Sequence, residues 1–196
     1  MPKLYQNKFK INSSRLNRWN YADEGYYFIT ICTKNKINYF GQIINHKMHL
    51  SKIGEIAKEE WLKTKQIRKN IGLDEFVIMP NHIHGIIIIN NNHANIETPR
   101  RGVSMVPFNK SLPDSRRGVS TANYNRFKHP QWQSNSIGAI VCQYKSICTK
   151  RIKKFEPNFT WQTRYYDHII RNEESLYHIR EYIFYNCLKH NNRKTL

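Results

Sequence analysis

Met79-Pro80-Asn81-His82-Ile83-His84-Gly85-Ile86-Ile87-Ile88-Ile89 places two histidines, one residue apart, at the head of a β-branched run. Such a run predicts a strand. On a strand, residues i and i+2 point to the same face. His82 and His84 therefore stand side by side and Ile83 turns to the other face. Two imidazoles on one face can bind a divalent metal. The spacing alone is common, and it equally describes two surface histidines on an edge strand. Pro80, between this run and Phe76-Val77-Ile78-Met79, predicts a bend or bulge.

Outward from this stretch, Tyr26 to Thr33 reads as an earlier strand and Ile37 to Ile44 as a second, with a turn near Asn45-His46 leading to Met48-His49-Leu50. Ser51 reads as an N-cap. Ile53, Ile56, Ala57, Trp61 and Leu62 recur at helical spacing over about 52–68. Leu73 to Met79 is a short strand. Ile137, Ile140, Val141, Tyr144, Ile147 and Cys148 predict a helix over about 136–154, and Tyr165 to Ile170 another strand. Glu173 and Glu174 suit a helix N-terminus. Leu176, Ile179, Ile183 and Cys187 carry that helix to about 188. The order of elements predicts an α+β sandwich, an antiparallel sheet with helices on one face. Residues 21–190 form its single domain, preceded by a basic flexible arm (1–20) and followed by a tail (191–196).

Residues 90–135 break the pattern. They are rich in Asn, Ser, Pro and Arg, and they repeat a motif: Arg100-Arg101-Gly102-Val103-Ser104 recurs as Arg116-Arg117-Gly118-Val119-Ser120. Two copies are too few for a solenoid. The stretch reads as a mobile, low-complexity insertion. It is either a solvated linker or an arm that settles on phosphates.

The charge narrows the class. In 196 residues, 32 Lys and Arg against 14 Asp and Glu give +18, a balance that points to nucleic acid. A ribosomal or architectural role competes at this level. No run reaches the ~18 apolar residues of a membrane span, and no signal-peptide core is visible near Met1, so a cytoplasmic protein, on the nucleoid when bound to DNA, is expected. Cys32, Cys142, Cys148 and Cys187 form no C-x-x-C and read as small buried hydrophobes.

Two histidines need a third ligand and a reactive group beside them. Tyr182 and Asn186 are four residues apart on the last helix and share a face. An amide oxygen is a fair ligand for a hard cation. A phenol beside a metal-polarised phosphate can attack phosphorus and hold it as a phosphotyrosine. Tyr144 is the rival, but it falls on the apolar stripe of its helix. Tyr165 and Tyr166 read as packing or base-stacking residues. Asp74 and Glu75 could approach the site, although no spacing requires it. Zinc hydrolysis lacks its H-E-x-x-H pattern, and no P-loop, G-x-S-x-G or G-x-G-x-x-G occurs.

These pieces, in this order, carry a resemblance: Gly25-Tyr26-Tyr27-Phe28-Ile29-Thr30-Ile31-Cys32-Thr33, Met79-Pro80-Asn81-His82-Ile83-His84, Trp161-Gln162 with Tyr165-Tyr166-Asp167-His168-Ile169-Ile170-Arg171-Asn172, and Glu181-Tyr182-Ile183-Phe184-Tyr185-Asn186. The chain resembles the REP-associated tyrosine transposases, IS200-like members of the HUH single-strand DNA endonucleases. The resemblance implies a ferredoxin-like fold, a Mg²⁺ or Mn²⁺ held by His82 and His84 with Asn186 as third ligand, and Tyr182 as nucleophile. It implies cleavage of single-stranded DNA near an imperfect, REP-type hairpin through a 5′-phosphotyrosine, with release of a 3′-OH and later rejoining, by a monomer or a homodimer. Asn186-Cys187 departs from the Asn-Pro that the family often carries. Candidate DNA contacts are Arg100, Arg101, Arg116 and Arg117 in the insertion, Lys145 and Lys150 on the helix, and Trp161 and Tyr165, with Trp132 and Tyr166 as further stacking aromatics. The alternative is a domesticated protein that binds hairpins without chemistry. A nucleotide-binding or RNA-processing role of the same scaffold comes third.

Overall fold

A computed structural model describes residues 4–5, 8–9, 19–90, 133 and 135–191. The arginines Arg100, Arg101, Arg116 and Arg117, and Trp132, lie outside the described residues, as do most of the expected insertion, most of the N-terminal arm and nearly all of the C-terminal tail. The strands are β1 (Leu4–Tyr5), β2 (Lys8–Phe9), β3 (Gly25–Cys32), β4 (Gly41–Ile44), β5 (Lys47–Leu50), β6 (Ile71–Ile78), β7 (His82–Ile89) and β8 (Tyr166–Ile170). The helices are α1 (Lys52–Ile67), α2 (Ile137–Ile152), α3 (Glu173–Phe184) and α4 (Asn186–Asn191). β1 and β2 pair with each other.

β3-α1-β6-β7-α2-β8 is the βαββαβ order of the ferredoxin-like motif. The four strands lie side by side as β6-β7-β3-β8, every neighbouring pair antiparallel. The expected α+β sandwich is therefore the observed one. Each strand alternates between two apolar layers. Tyr27, Ile29 and Ile31 of β3 join Ile83, Ile87 and Ile89 of β7 against Ile56, Ala57 and Trp61 of α1 and Ile140, Val141 and Tyr144 of α2. Fully burying one such aliphatic side chain is worth about 1.5–3 kcal/mol. This layer supplies most of the driving force.

Helices were expected on one face, and α1 and α2 share one face. α3 covers the other. Leu176 and Ile183 on α3 pack on Phe28, Ile86 and Ile170, which point away from the main core. Phe28 and Ile86 put apolar bulk on the second face at positions where a solvated sheet would carry polar residues, and α3 buries it.

Local signals explain the boundaries. Ser51 accepts a hydrogen bond from the Gly54 N–H and Ser136 one from the Ala139 N–H, the N-caps of α1 and α2. Asn172 Oδ1 accepts from the Ser175 N–H to cap α3, where Glu173 and Glu174 meet the positive end of the helix dipole. Asn45 and His46 both have positive φ, at 48° and 60°, as a tight turn between β4 and β5 requires.

Three expectations move. The second strand begins at Gly41 rather than Ile37, because Lys34–Lys36 forms a 3₁₀ turn and the N–H of the buried Phe40 then goes to the Pro80 carbonyl. Pro80 makes the expected bend, in a turn where its missing N–H is not needed, and an unexpected bulge lies at Asp74-Glu75 of β6. The last helix breaks at Tyr185, so Tyr182 lies in the last turn of α3 and Asn186 opens α4. Trp19, inside the expected arm, packs on the main core and donates its indole N–H to the Tyr27 hydroxyl.

Candidate active site

The β3–β7 register pairs Cys32 with His82 and Thr30 with His84. Both histidines therefore lie on the α3 face of the sheet, and Ile83, 1% exposed, points into the main core. The imidazole centroids are 4.6 Å apart.

The turn before β7 is anchored from three directions. The Met79 N–H donates to the His82 carbonyl, the Phe40 N–H to the Pro80 carbonyl, and the Thr33 N–H to the Asn81 carbonyl. The Asn81 side chain then fixes His82. Its Nδ2 donates to the Lys36 carbonyl and to Asn38 Oδ1, at 3.0 and 2.9 Å. Its Oδ1 is thereby turned towards His82 Nδ1, 2.7 Å away. Oδ1 can only accept, so Nδ1 carries the proton.

His84 is held from both sides. Thr30 Oγ1 lies 2.8 Å from its Nδ1 and the Tyr182 hydroxyl 3.2 Å from its Nε2. Both partners are hydroxyls, so one His84 nitrogen donates to its hydroxyl and the other accepts from its own. Phe28 stacks on the His84 ring at 5.4 Å and meets the Tyr182 ring edge-on at 6.1 Å. Burial lowers the His84 pKa from 6.5 to about 3, with the neighbouring His82 charge adding to the effect. The ring is neutral at physiological pH, a hydrogen-bond partner and metal ligand rather than a proton acceptor or an imidazolium donor.

Arg180 and the bulge position Tyr182. Asp74 leaves the regular ladder of β6 at the bulge, and Arg180 of α3 grips its carboxylate with both Nε and Nη2. Asp74 thus turns to Arg180 rather than to the histidines. Together with Leu176 and Ile183, this ion pair seats α3 so that Tyr182 faces His84.

The donor set fits part of a divalent-metal sphere. Each imidazole has a ring nitrogen within hydrogen-bond distance of a fixed oxygen, Asn81 Oδ1 for His82 and Thr30 Oγ1 for His84, the usual arrangement of metal-bound histidine. Nitrogen donors suit Mn²⁺ and later metals better than Mg²⁺. Among the described residues no group of three or more His, Cys, Asp or Glu side chains is placed to hold a metal ion, so further ligands would be an amide, water or phosphate oxygen. Asn186, half-buried at the start of α4, is the amide expected from the sequence.

The expected DNA contacts divide. Lys150 is exposed. Lys145 is half-buried, and its ammonium donates to the Gln162 carbonyl at 2.5 Å. Trp161 donates its indole N–H to the Lys145 carbonyl and lies against the rings of Phe40, Tyr144 and Phe159. Tyr165 packs on the main core. These three join α2 to the segment before β8, on the side away from the histidines. Tyr166 is the aromatic of that segment that reaches the site face, opposite Thr30 and edge-on to Phe28 at 6.3 Å. Tyr144 is buried and donates its hydroxyl to the Ala57 carbonyl, the core role its stripe indicates. Thr30, Asn81 and Arg180 were not singled out from the sequence. Asn81 and Thr30 sat inside quoted motifs without a role, Thr30 gaining one only through register, and Arg180 becomes visible only through the bulge.

No protein-family model matches the chain. Over 172 residues it is 39% identical to an uncharacterized protein of Haemophilus influenzae, an alignment covering 87% of this chain and 84% of that protein. The chain belongs to that protein's family. Among solved structures it is similar to a REP-associated tyrosine transposase bound to a REP hairpin, with a TM-score of 0.52 and 18% identity over 91% of this chain and 74% of the other. The likeness is one of fold: a transposase-like α+β domain built on a four-stranded antiparallel sheet. Among the described residues no helix is long and apolar enough to cross a membrane.

Proposed function

We propose that this protein is a tyrosine transposase, cutting single-stranded DNA beside a hairpin and rejoining it through a phosphotyrosine at Tyr182. The observation that carries the proposal is the Tyr182 hydroxyl 3.2 Å from His84 Nε2, on a helix clamped over a histidine pair. The transposase-like fold and the +18 charge support DNA as the substrate.

The Tyr182 oxygen attacks the phosphorus of a phosphodiester and its proton passes to solvent. The P–O3′ bond breaks, and the leaving 3′-oxygen takes one proton from solvent to become a 3′-OH. The 5′-phosphate stays esterified to Tyr182. Attack by a 3′-OH on that ester reverses the step, so no high-energy cofactor is consumed. His84 orients the hydroxyl and Asn81 orients His82. A Mg²⁺ or Mn²⁺ bound by His82 and His84, with Asn186 as a third ligand, would neutralise charge on the phosphoryl oxygens.

The test uses labelled single-stranded hairpin DNA with Mn²⁺. Wild-type protein is expected to carry label through denaturing electrophoresis and Tyr182→Phe to bind without carrying it. Binding without capture in the wild type would leave a hairpin-binding protein and remove the enzyme.

A further inference from the structure

Tyr166 stands apart from the other aromatics of its segment. Tyr165 and Trp161 are packed on the main core, but Tyr166 is 51% exposed. It lies on β8, the strand at the sheet margin, with β3 as its one neighbour in the four-stranded sheet. The register places it opposite Thr30, and Thr30 opposite His84. Tyr166 and His84 thus share one face two strands apart, about 10 Å across the sheet. Phe28 bridges the gap, stacked on His84 and edge-on to Tyr166. Exposed arginines, Arg164 and Arg171, bracket β8. Lys36 lies near Cys32, where its charge pulls the Cys32 thiol down against the larger upward push of burial. An exposed ring flush with the floor of the site, with cations along its margin, matches the two elements of single-strand recognition: a π-face for a base and positive charge for the backbone.

Resting on the cleavage reading above, we infer that Tyr166 is a base-stacking subsite for the nucleotide next to the phosphate at Tyr182. Stacking tolerates any base, so the subsite takes a single-stranded nucleotide without regard to sequence and leaves hairpin selection to other contacts. It requires an unpaired base at that position, because a base held in a duplex cannot lay its face on the ring.

The experiment compares two probes of equal length, an oligodeoxythymidylate and a fully abasic strand, whose phosphates match but of which only one has bases. Affinities are measured by anisotropy in EDTA for wild type, Tyr166→Leu and Tyr166→Trp. Leu keeps apolar bulk on the edge strand and removes the π-face. The ratio of the two affinities should fall by about 5- to 150-fold in Tyr166→Leu and be kept in Tyr166→Trp. The salt dependence of binding, set by phosphate contacts, should not change. Equal ratios in wild type and Tyr166→Leu, with covalent capture of hairpin DNA intact, overturn the subsite and leave the cleavage reading standing. Failure of wild-type capture, with unequal ratios, overturns the cleavage reading and with it the placement of the subsite beside a reacting phosphate.

Discussion

Arg180 holds Asp74 across the gap between α3 and the β6 bulge, with Nε 3.1 and 3.2 Å from the two carboxylate oxygens. The Asp74 side chain is 5% exposed and that of Arg180 21%. Removing the guanidinium leaves a carboxylate buried without its partner. Arg180→Ala should lower stability by about 1–3 kcal/mol in urea unfolding. It should also slow covalent capture, since Tyr182 follows two residues later on the same helix. Arg180→Lys restores charge but not the fork and should recover only part of both effects. Unchanged capture in a folded Arg180→Ala would show that α3 is seated by Leu176 and Ile183 alone.

The metal reading has its own consequence. Asn81 fixes the His82 tautomer, and removing such an orienting partner commonly costs 10–100-fold in metal affinity. Asn81→Ala should weaken Mn²⁺ binding by about that factor in calorimetry. Tyr182→Phe should strengthen it, because the tyrosine hydroxyl lies 3.2 Å from His84 Nε2 and competes with a metal for that nitrogen. A loss of Mn²⁺ affinity in Tyr182→Phe would contradict this competition.

Stability should depend on pH through His84. Its folded pKa, about 3, lies below the ordinary 6.5, so the unfolded chain binds the proton more tightly. The associated stability is complete above pH 6.5 and is lost as pH falls from there towards 3. The slope is about 1.4 kcal/mol per pH unit for one proton. Between pH 6.5 and 5, in EDTA, wild type should lose about 2 kcal/mol more than His84→Gln. Parallel curves for the two proteins would mean that His84 is not held neutral by burial.

Gly85 separates the site from the core. A Cβ at this position would lie 2.4 Å from Trp61 Cζ2 and 3.1 Å from Phe76 Cβ. Trp61 is 1% exposed and has nowhere to move. Gly85→Ala should cost about 1–3 kcal/mol and displace the strand carrying His84. Thermal unfolding checks the first and Mn²⁺ affinity the second.

Much of this was legible in the residues. The alternation through His82, Ile83 and His84 set the two faces of β7, and Ser51 marked its helix start as a cap. Tyr144 was assigned to the core by its stripe. Long-range pairing carried the rest. Thr30 meets His84 only because β3 and β7 pair in that register, and period-2 patterning does not choose a register between two apolar strands. The bulge that frees Asp74 has no turn residue to announce it. α3 on the second face was hidden because Phe28 and Ile86 lie in runs that are apolar throughout. Tyr165 and Tyr166 show the same limit: adjacent residues on a strand go to opposite faces, and the sequence does not say which face is which.

The central claim is that Tyr182 carries the DNA. Hairpin DNA is captured with Mn²⁺, the adduct is digested with protease and nuclease, and the nucleotide-bearing peptide is sequenced by mass spectrometry. The account predicts a single modified residue, Tyr182, in the peptide around Glu181-Tyr182-Ile183, and no adduct in Tyr182→Phe. A nucleotide on Tyr166, on Tyr185 or on any residue other than Tyr182 would contradict it.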